Sequence, residues 1–163
     1  NATGVTLLLL LAELLQNYQG SPGIEIVPLN GEDYYNAPGQ MEYLKRSGDG
    51  FDRITLGINM DGAGYQKGKT AFSLYGCPED ITGTIGSVFD TYDELIEGEQ
   101  WYQGDHGMFL MRGVPALAIT SEEFMDLSTN ITHTPKDNLD ILDQSKLPEI
   151  AQALRNLVLA LSS

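Results

Sequence analysis

Apolar positions run almost unbroken through Val5-Thr6-Leu7-Leu8-Leu9-Leu10-Leu11-Ala12. The pattern predicts a helix over residues 4–17, capped by Thr3 and ended near Gln19-Gly20-Ser21-Pro22. A helix apolar on nearly every face is expected to be buried. Gly23-Ile24-Glu25-Ile26-Val27-Pro28-Leu29 reads as a strand, and residues 37–46 as a short helix packing through Met41, Tyr43 and Leu44. Residues 53–60 read as a buried strand that delivers Asp61 at its end, and residues 70–75 as another. Residues 79–97 are helical in part, weakened by Gly83 and Gly86. Residues 105–112 form a short helix closed by Gly113. Residues 114–120 form a strand whose Pro115 lies near its start, where proline is tolerated. Over residues 146–161, Leu147, Ile150, Leu154, Leu157, Val158 and Leu161 share one helical face. Strands alternating with helices predict one α/β domain over residues 1–163, its sheet layered by helices.

Composition narrows the partners. The 163 residues are 42% hydrophobic and 20% charged, ordinary for a globular domain with a real core. The net charge of −14 argues against nucleic acid, whose phosphates demand a basic face, and against an anionic membrane surface. It suits cations and an extracellular, cell-envelope or high-salt setting. Cys77 is the one cysteine, which excludes an internal disulfide and a multi-cysteine metal site. The leucine run mimics a signal-peptide core, but no basic residue precedes it and no small-residue cleavage site follows. It is also far shorter than the ~20 residues a bilayer span needs. The opening on a helix without an initiator Met suggests a piece of a longer protein.

Candidate chemistry gathers where strands are predicted to end. Asn30-Gly31-Glu32-Asp33 follows the 23–29 segment, Asp61 follows the 53–60 segment, and His133 lies in a loop after the 114–120 strand. In open α/β sheets ligands bind at the carboxyl ends of strands. One of two adjacent carboxylates can hold a metal while the other stays free as a general base. Carboxylate and imidazole donors suit zinc. An acidic pair in a loop is also what a solvated turn looks like, and His133 alone reads equally as a surface histidine.

Five stretches, in order, resemble the C-terminal portion of the co-catalytic di-zinc aminopeptidase family, which includes leucyl aminopeptidases, glutamate carboxypeptidases and the related glutaminyl cyclases. They are Asn1-Ala2-Thr3-Gly4-Val5, Gly31-Glu32-Asp33, Asn59-Met60-Asp61, Gly104-Asp105-His106-Gly107-Met108-Phe109 with Gly113-Val114-Pro115-Ala116, and Thr132-His133-Thr134-Pro135-Lys136-Asp137-Asn138-Leu139-Asp140. The resemblance implies a three-layer α/β/α sandwich with a mixed central sheet, lacking the family's N-terminal strands. It implies two zinc ions and a peptide substrate. Glu32 falls at the general base, Asp33 and His133 at ligands of one zinc, Asp61 at a ligand of the other, and Asp105 and His106 at the substrate-side loop.

Departures from the family pattern matter. Asp33 stands where the family usually has Glu. The family's His-x-Asp motif and its bridging Asp would fall before Asn1. Thr132 stands where several members carry an oxyanion-stabilising Tyr, so that role is missing or falls to Tyr34, Tyr65 or Tyr102. Zinc is accordingly expected to bind this chain weakly or not at all. An open sheet edge is expected to favour self-association, with Leu7 to Leu11 in or near the contact. The implied activity is that of an aminopeptidase. The alternatives are a catalytically incomplete binding or structural module and a glutaminyl cyclase-like acyltransferase.

Overall fold

The computed structural model describes residues 1–162. Its helices are α1 (Ala2–Leu14), α2 (Pro38–Ser47), α3 (Glu79–Phe89), α4 (Gly107–Leu110), α5 (Phe124–Asn130) and α6 (Lys146–Ala160). Its strands are β1 (Gly57–Met60), β2 (Thr70–Tyr75), β3 (Leu95–Glu97) and β4 (Ala116–Ser121). The sheet order is β1-β4-β2-β3. β1 runs parallel to β4, with Gly57 opposite Ala116 and Met60 opposite Ile119. β2 runs antiparallel to β4 and parallel to β3, so the sheet is mixed.

The period-two alternation of a strand sorts β4 between two layers. Leu117 and Ile119 join the main core, which α1, α3 and α6 cover with Leu7, Ile85, Phe89, Ile150, Leu154 and Leu157. Ala116 and Ala118 face the opposite layer, against Tyr75 and Trp101. A neighbouring cluster of Phe51, Met108 and Val114 continues that second layer. Helices, sheet, and a thinner layer of short helices and loops make the α/β/α order.

Several expectations need correction. The 23–29 segment forms no strand; it runs beside the sheet with Ile24 and Ile26 exposed. Pro28 has no amide to give a ladder, and no described strand pairs with the segment. The strand expected over 53–60 begins only at Gly57, because residues 48–53 wind into a 3-10 helix that buries Phe51. Residues 79–97 contain β3 as well as α3, α5 was not foreseen, and the helix expected over 105–112 shrinks to α4. The cap of α1 is Asn1, not Thr3. That helix is not buried all round: Leu7 and Leu11 are covered by the chain's own core, while Leu9 is 68% exposed. Met41, expected to pack, is exposed. α6 meets its expectation, burying Leu147, Ile150, Leu154 and Leu157 along one face.

Candidate active site

β1 is an edge strand, and its free side faces a cleft of about 830 Å³. Its apolar lining comes from α1 and α6, including Leu8, Leu11 and Val158, and from the 23–29 segment. At one end the polar residues Asn1, Glu32, Asp33, Asp61, Asp105, Thr132 and His133 line the same cleft.

Asp61 comes off the end of β1, where its own amide still donates to the Ile119 carbonyl at 3.0 Å. The residues before it are held from both sides. Asn1 Nδ2 donates to the Met60 carbonyl at 2.7 Å, while Asn1 Oδ1 accepts the Gly4 amide at 3.0 Å and caps α1. That contact depends on Gly4, because a Cβ there would sit 2.4 Å from the Met60 oxygen. Asn59 Nδ2 approaches His106 Nδ1 at 3.3 Å.

Glu32 and Asp33 are positioned differently. Gly31 turns the chain with φ of +72°, and a Cβ there would meet the Pro38 ring at 2.7 Å. Among the described residues the three non-glycine positions with left-handed backbone are Asn36, Ala37 and His133. All three belong to the two loops that carry Glu32, Asp33 and His133. L-residues adopt this conformation at a cost, and such strain clusters at functional sites. His133 Nε2 lies 3.1 Å from Asp33 Oδ2, both side chains about two-thirds exposed.

The electrostatics follow from crowding. Burial, then the neighbouring charges of Asp33 and Asp105, push the Glu32 carboxyl above the ordinary range. Asp61 is raised chiefly by burial, with Asp105 and Asp33 adding to it. Asp105 is raised by burial too, partly offset by the hydrogen bond that Gln40 Nε2 donates to its Oδ1 at 2.8 Å. Gln40 lies on α2, so the helix after the Glu32 turn reaches across to the Asp105 loop.

Asp105 and His106, expected together on the substrate side, point apart. Asp105 lines the cleft, whereas His106 is fully buried. Its ring packs on Trp101 and Tyr75 with centroids 4.4 and 4.9 Å away. Of the tyrosines considered for an oxyanion role, Tyr65 is buried with its hydroxyl donating to Asp126, and the Tyr102 hydroxyl donates to Gln100. Tyr34 is exposed beside Asp33. Sequence reading overlooked Asn1, Gln40 and Asn59 as the residues that frame the carboxylates. Asn1 and Asn59 stand inside motifs already singled out; Gln40, a polar residue on a surface helix, gave no signal.

The donors fit zinc in kind. A carboxylate and an imidazole 3.1 Å apart are the pair zinc takes, and a cation would relieve the charge that crowds Glu32, Asp61 and Asp105. In number the set is short. Among the described residues no group of three or more His, Cys, Asp or Glu side chains lies close enough to hold one ion.

The family model for peptidase family M28 matches residues 1–158. No curated protein sequence matches the chain. Among solved structures, an aminopeptidase from Aneurinibacillus sp. strain AM-1 superposes with a TM-score of 0.78 at 21% identity, covering 97% of this chain and 38% of that one. BSAP, a zinc aminopeptidase from Bacillus subtilis, gives 0.77 at 17% identity over 97% and 40% of the two chains. LapA from Legionella pneumophila gives 0.82 at 14% identity over 100% and 47%. The chain thus spans less than half the length of these solved structures.

Proposed function

The chain belongs to peptidase family M28, and on that premise we propose that the protein is a zinc-dependent exopeptidase, an aminopeptidase that removes N-terminal residues from peptides. One observation carries the reading: Glu32, Asp33, Asp61, Asp105 and His133, drawn from four separate stretches, line one end of a single cleft. Asp33 and His133 would hold one zinc and Asp61 another. Bound zinc supplies a Lewis acid, which brings the pKa of water toward neutral and polarises a carbonyl.

Glu32 is the general base. Its carboxyl, raised by burial and by its acidic neighbours, is poised to accept a proton nearer working pH than an exposed glutamate would. It takes the proton of the attacking water and returns it to the nitrogen of the cleaved peptide bond, so a carboxylate and an amine leave. Asp105, held by Gln40, adds negative charge that suits the ammonium group of a peptide's first residue. The apolar remainder of the cleft suits side chains beyond it.

The donors within these residues fall short of the three or four that zinc sites use. We therefore expect the 163 residues alone to bind zinc weakly and to lack turnover. The free edge of β1 is expected to make them associate; a stable monomer by sedimentation at micromolar concentration would remove that expectation. Among the described residues no helix is long and apolar enough to cross a membrane.

The deciding experiment offers the full-length, zinc-loaded protein aminoacyl anilides and N-terminal glutaminyl peptides. Release of the anilide, abolished by a chelator and restored by zinc, is the expected result. Cyclisation of the glutaminyl peptide without anilide release would make the protein an acyltransferase of the glutaminyl cyclase type. Inertness toward both would leave a binding module.

A further inference from the structure

We propose that His106 is a positioning residue: through Asn59 it fixes the end of β1, and so the seat of Asp61, relative to the loop that presents Asp105. The proposal rests on the peptidase reading above for its effect on rate, though not for the contact itself.

β1 has a ladder partner on one side only, because its other edge opens onto the cleft. Its position is therefore set by β4 and by whatever side chains tie it down. Asn59 stands opposite Ala118 in the ladder, and Ala118 belongs to the cluster of Tyr75 and Trp101 against which the His106 ring packs. His106 is fully buried and both of its ring nitrogens are engaged.

The tautomer follows from the partners. Nε2 lies 2.8 Å from the Trp101 carbonyl oxygen, which can only accept, so Nε2 carries the hydrogen. In the neutral ring Nδ1 is then an acceptor, and the Asn59 amide nitrogen 3.3 Å away donates to it. The Tyr75 hydroxyl accepts the Trp101 amide at 2.8 Å and braces the same loop. Asn59 lies two residues before Asp61, and Asp105 immediately precedes His106. One neutral imidazole thus registers two cleft carboxylates on different elements. Groups that orient a site in this way typically contribute 10- to 100-fold in activity or metal affinity, as an order of magnitude.

Two substitutions separate positioning from mere packing. In H106N the side-chain oxygen reaches the place of Nδ1 and can still accept from Asn59, but the bond to Trp101 is lost. In H106Q the side-chain amide reaches the place of Nε2 and can still donate to Trp101, but Asn59 is released. In the full-length protein H106Q should lower kcat about 10- to 100-fold with little change in KM, while H106N stays near the wild-type rate. N59L should match H106Q, and the double variant N59L/H106Q should be no worse than either, since both break one contact. Circular dichroism and a thermal melt confirm folding. Equal losses in H106N and H106Q, or additive losses in the double variant, would overturn the proposal.

An NMR readout stands apart from activity. The His106 imidazole should show the neutral Nε2–H tautomer at pH 7, and the Asp61 amide signal should move in H106Q and hold in H106N. If the wild-type protein hydrolyses no peptide, the functional reading fails, and these signals decide the positioning role alone. An Asp61 signal that moves equally in both variants, or an Nδ1–H tautomer, would overturn it.

Discussion

The two sides of the cleft are built on opposite plans. Asp61 ends a strand, is half-buried, and follows residues tied by Asn1 to the start of α1 and by His106 to the opposite layer. Asp33 and His133 sit on loops, two-thirds exposed, with the left-handed residues clustered around them. Regular structure supplies rigidity without strain on the first side. On the second, irregular backbone is held in costly conformations that only surrounding contacts can maintain. The framed side is tied down by ladder, cap and side-chain bonds, and the looped side is held by local contacts and the exposed pairing of Asp33 with His133.

The comparison can be tested from both sides. The largest expected effect is catalytic and belongs to the looped side. E32Q in the full-length protein should lower anilide hydrolysis by roughly 10²- to 10⁴-fold, with zinc content unchanged and the thermal midpoint not lowered. Near-normal turnover would move the base elsewhere, and loss of zinc by elemental analysis would make Glu32 a ligand.

On the framed side stability should respond first. Alanine normally improves a helix over glycine by about 1 kcal/mol. At position 4 the added Cβ would press on the Met60 oxygen and the Asn1 side chain. Gly4→Ala is therefore expected to destabilise, by about 1–3 kcal/mol as overpacking does, in urea unfolding. A gain in stability would show that α1 does not bear on the end of β1.

His133→Gly should do the reverse of what a framed residue does. Its exposed pairing with Asp33 contributes no more than about 1 kcal/mol, and glycine removes a left-handed strain on the order of 1 kcal/mol. The unfolding midpoint should hold or rise while zinc affinity, read by calorimetry, falls. A clear drop in midpoint would place His133 with the framed residues.

The smallest effect is on pH dependence. Burial holds the His106 imidazole below the ordinary histidine value, with the Trp101 carbonyl and Asp105 pulling partway back. The unfolded chain takes up that proton near pH 6.5 and the folded chain only lower. The histidine's contribution is thus complete above about 6.5 and is lost as pH falls toward the folded value. The raised carboxylates Glu32, Asp61 and Asp105 act in the other direction. Their contribution is present below the ordinary carboxylate range and is lost as pH climbs through the raised values. Subtracting H106N isolates the histidine: between about pH 7 and 5.5 the wild type should lose more stability than H106N. Parallel curves would refute it.

Some of this was readable from the sequence and some was not, for physical reasons. α6 was legible because Leu147, Ile150, Leu154 and Leu157 repeat at helical spacing and all four bury. β4 was legible because a short apolar run that is buried on both faces reads as a strand. The 23–29 segment carries the composition of a strand, yet a strand exists only with a neighbour to bond, and composition does not name one. β3 has three residues, too few to show a period. At the site, Glu32, Asp33, Asp61 and His133 were visible as types that bind metal, and they line one cleft. Asn1, Asn59 and the inward turn of His106 depend on contacts between distant stretches, which no local pattern encodes.

The sheet order has a consequence for how the protein is made. Gly57 faces Ala116, and Asp61 donates its amide to Ile119. On the ribosome, β1 emerges long before β4 exists, so the strand that seats Asp61 cannot pair with β4 until the chain has been extended past Ser121. β2 can join the short β3 first, but its longer antiparallel ladder waits for β4 too. Loop closure across such separations is slow compared with local helix formation. The acidic cleft is therefore among the last parts assembled, and a chain arrested before β4 would leave β1 and one edge of β2 without that partner, for a chaperone or a protease to find.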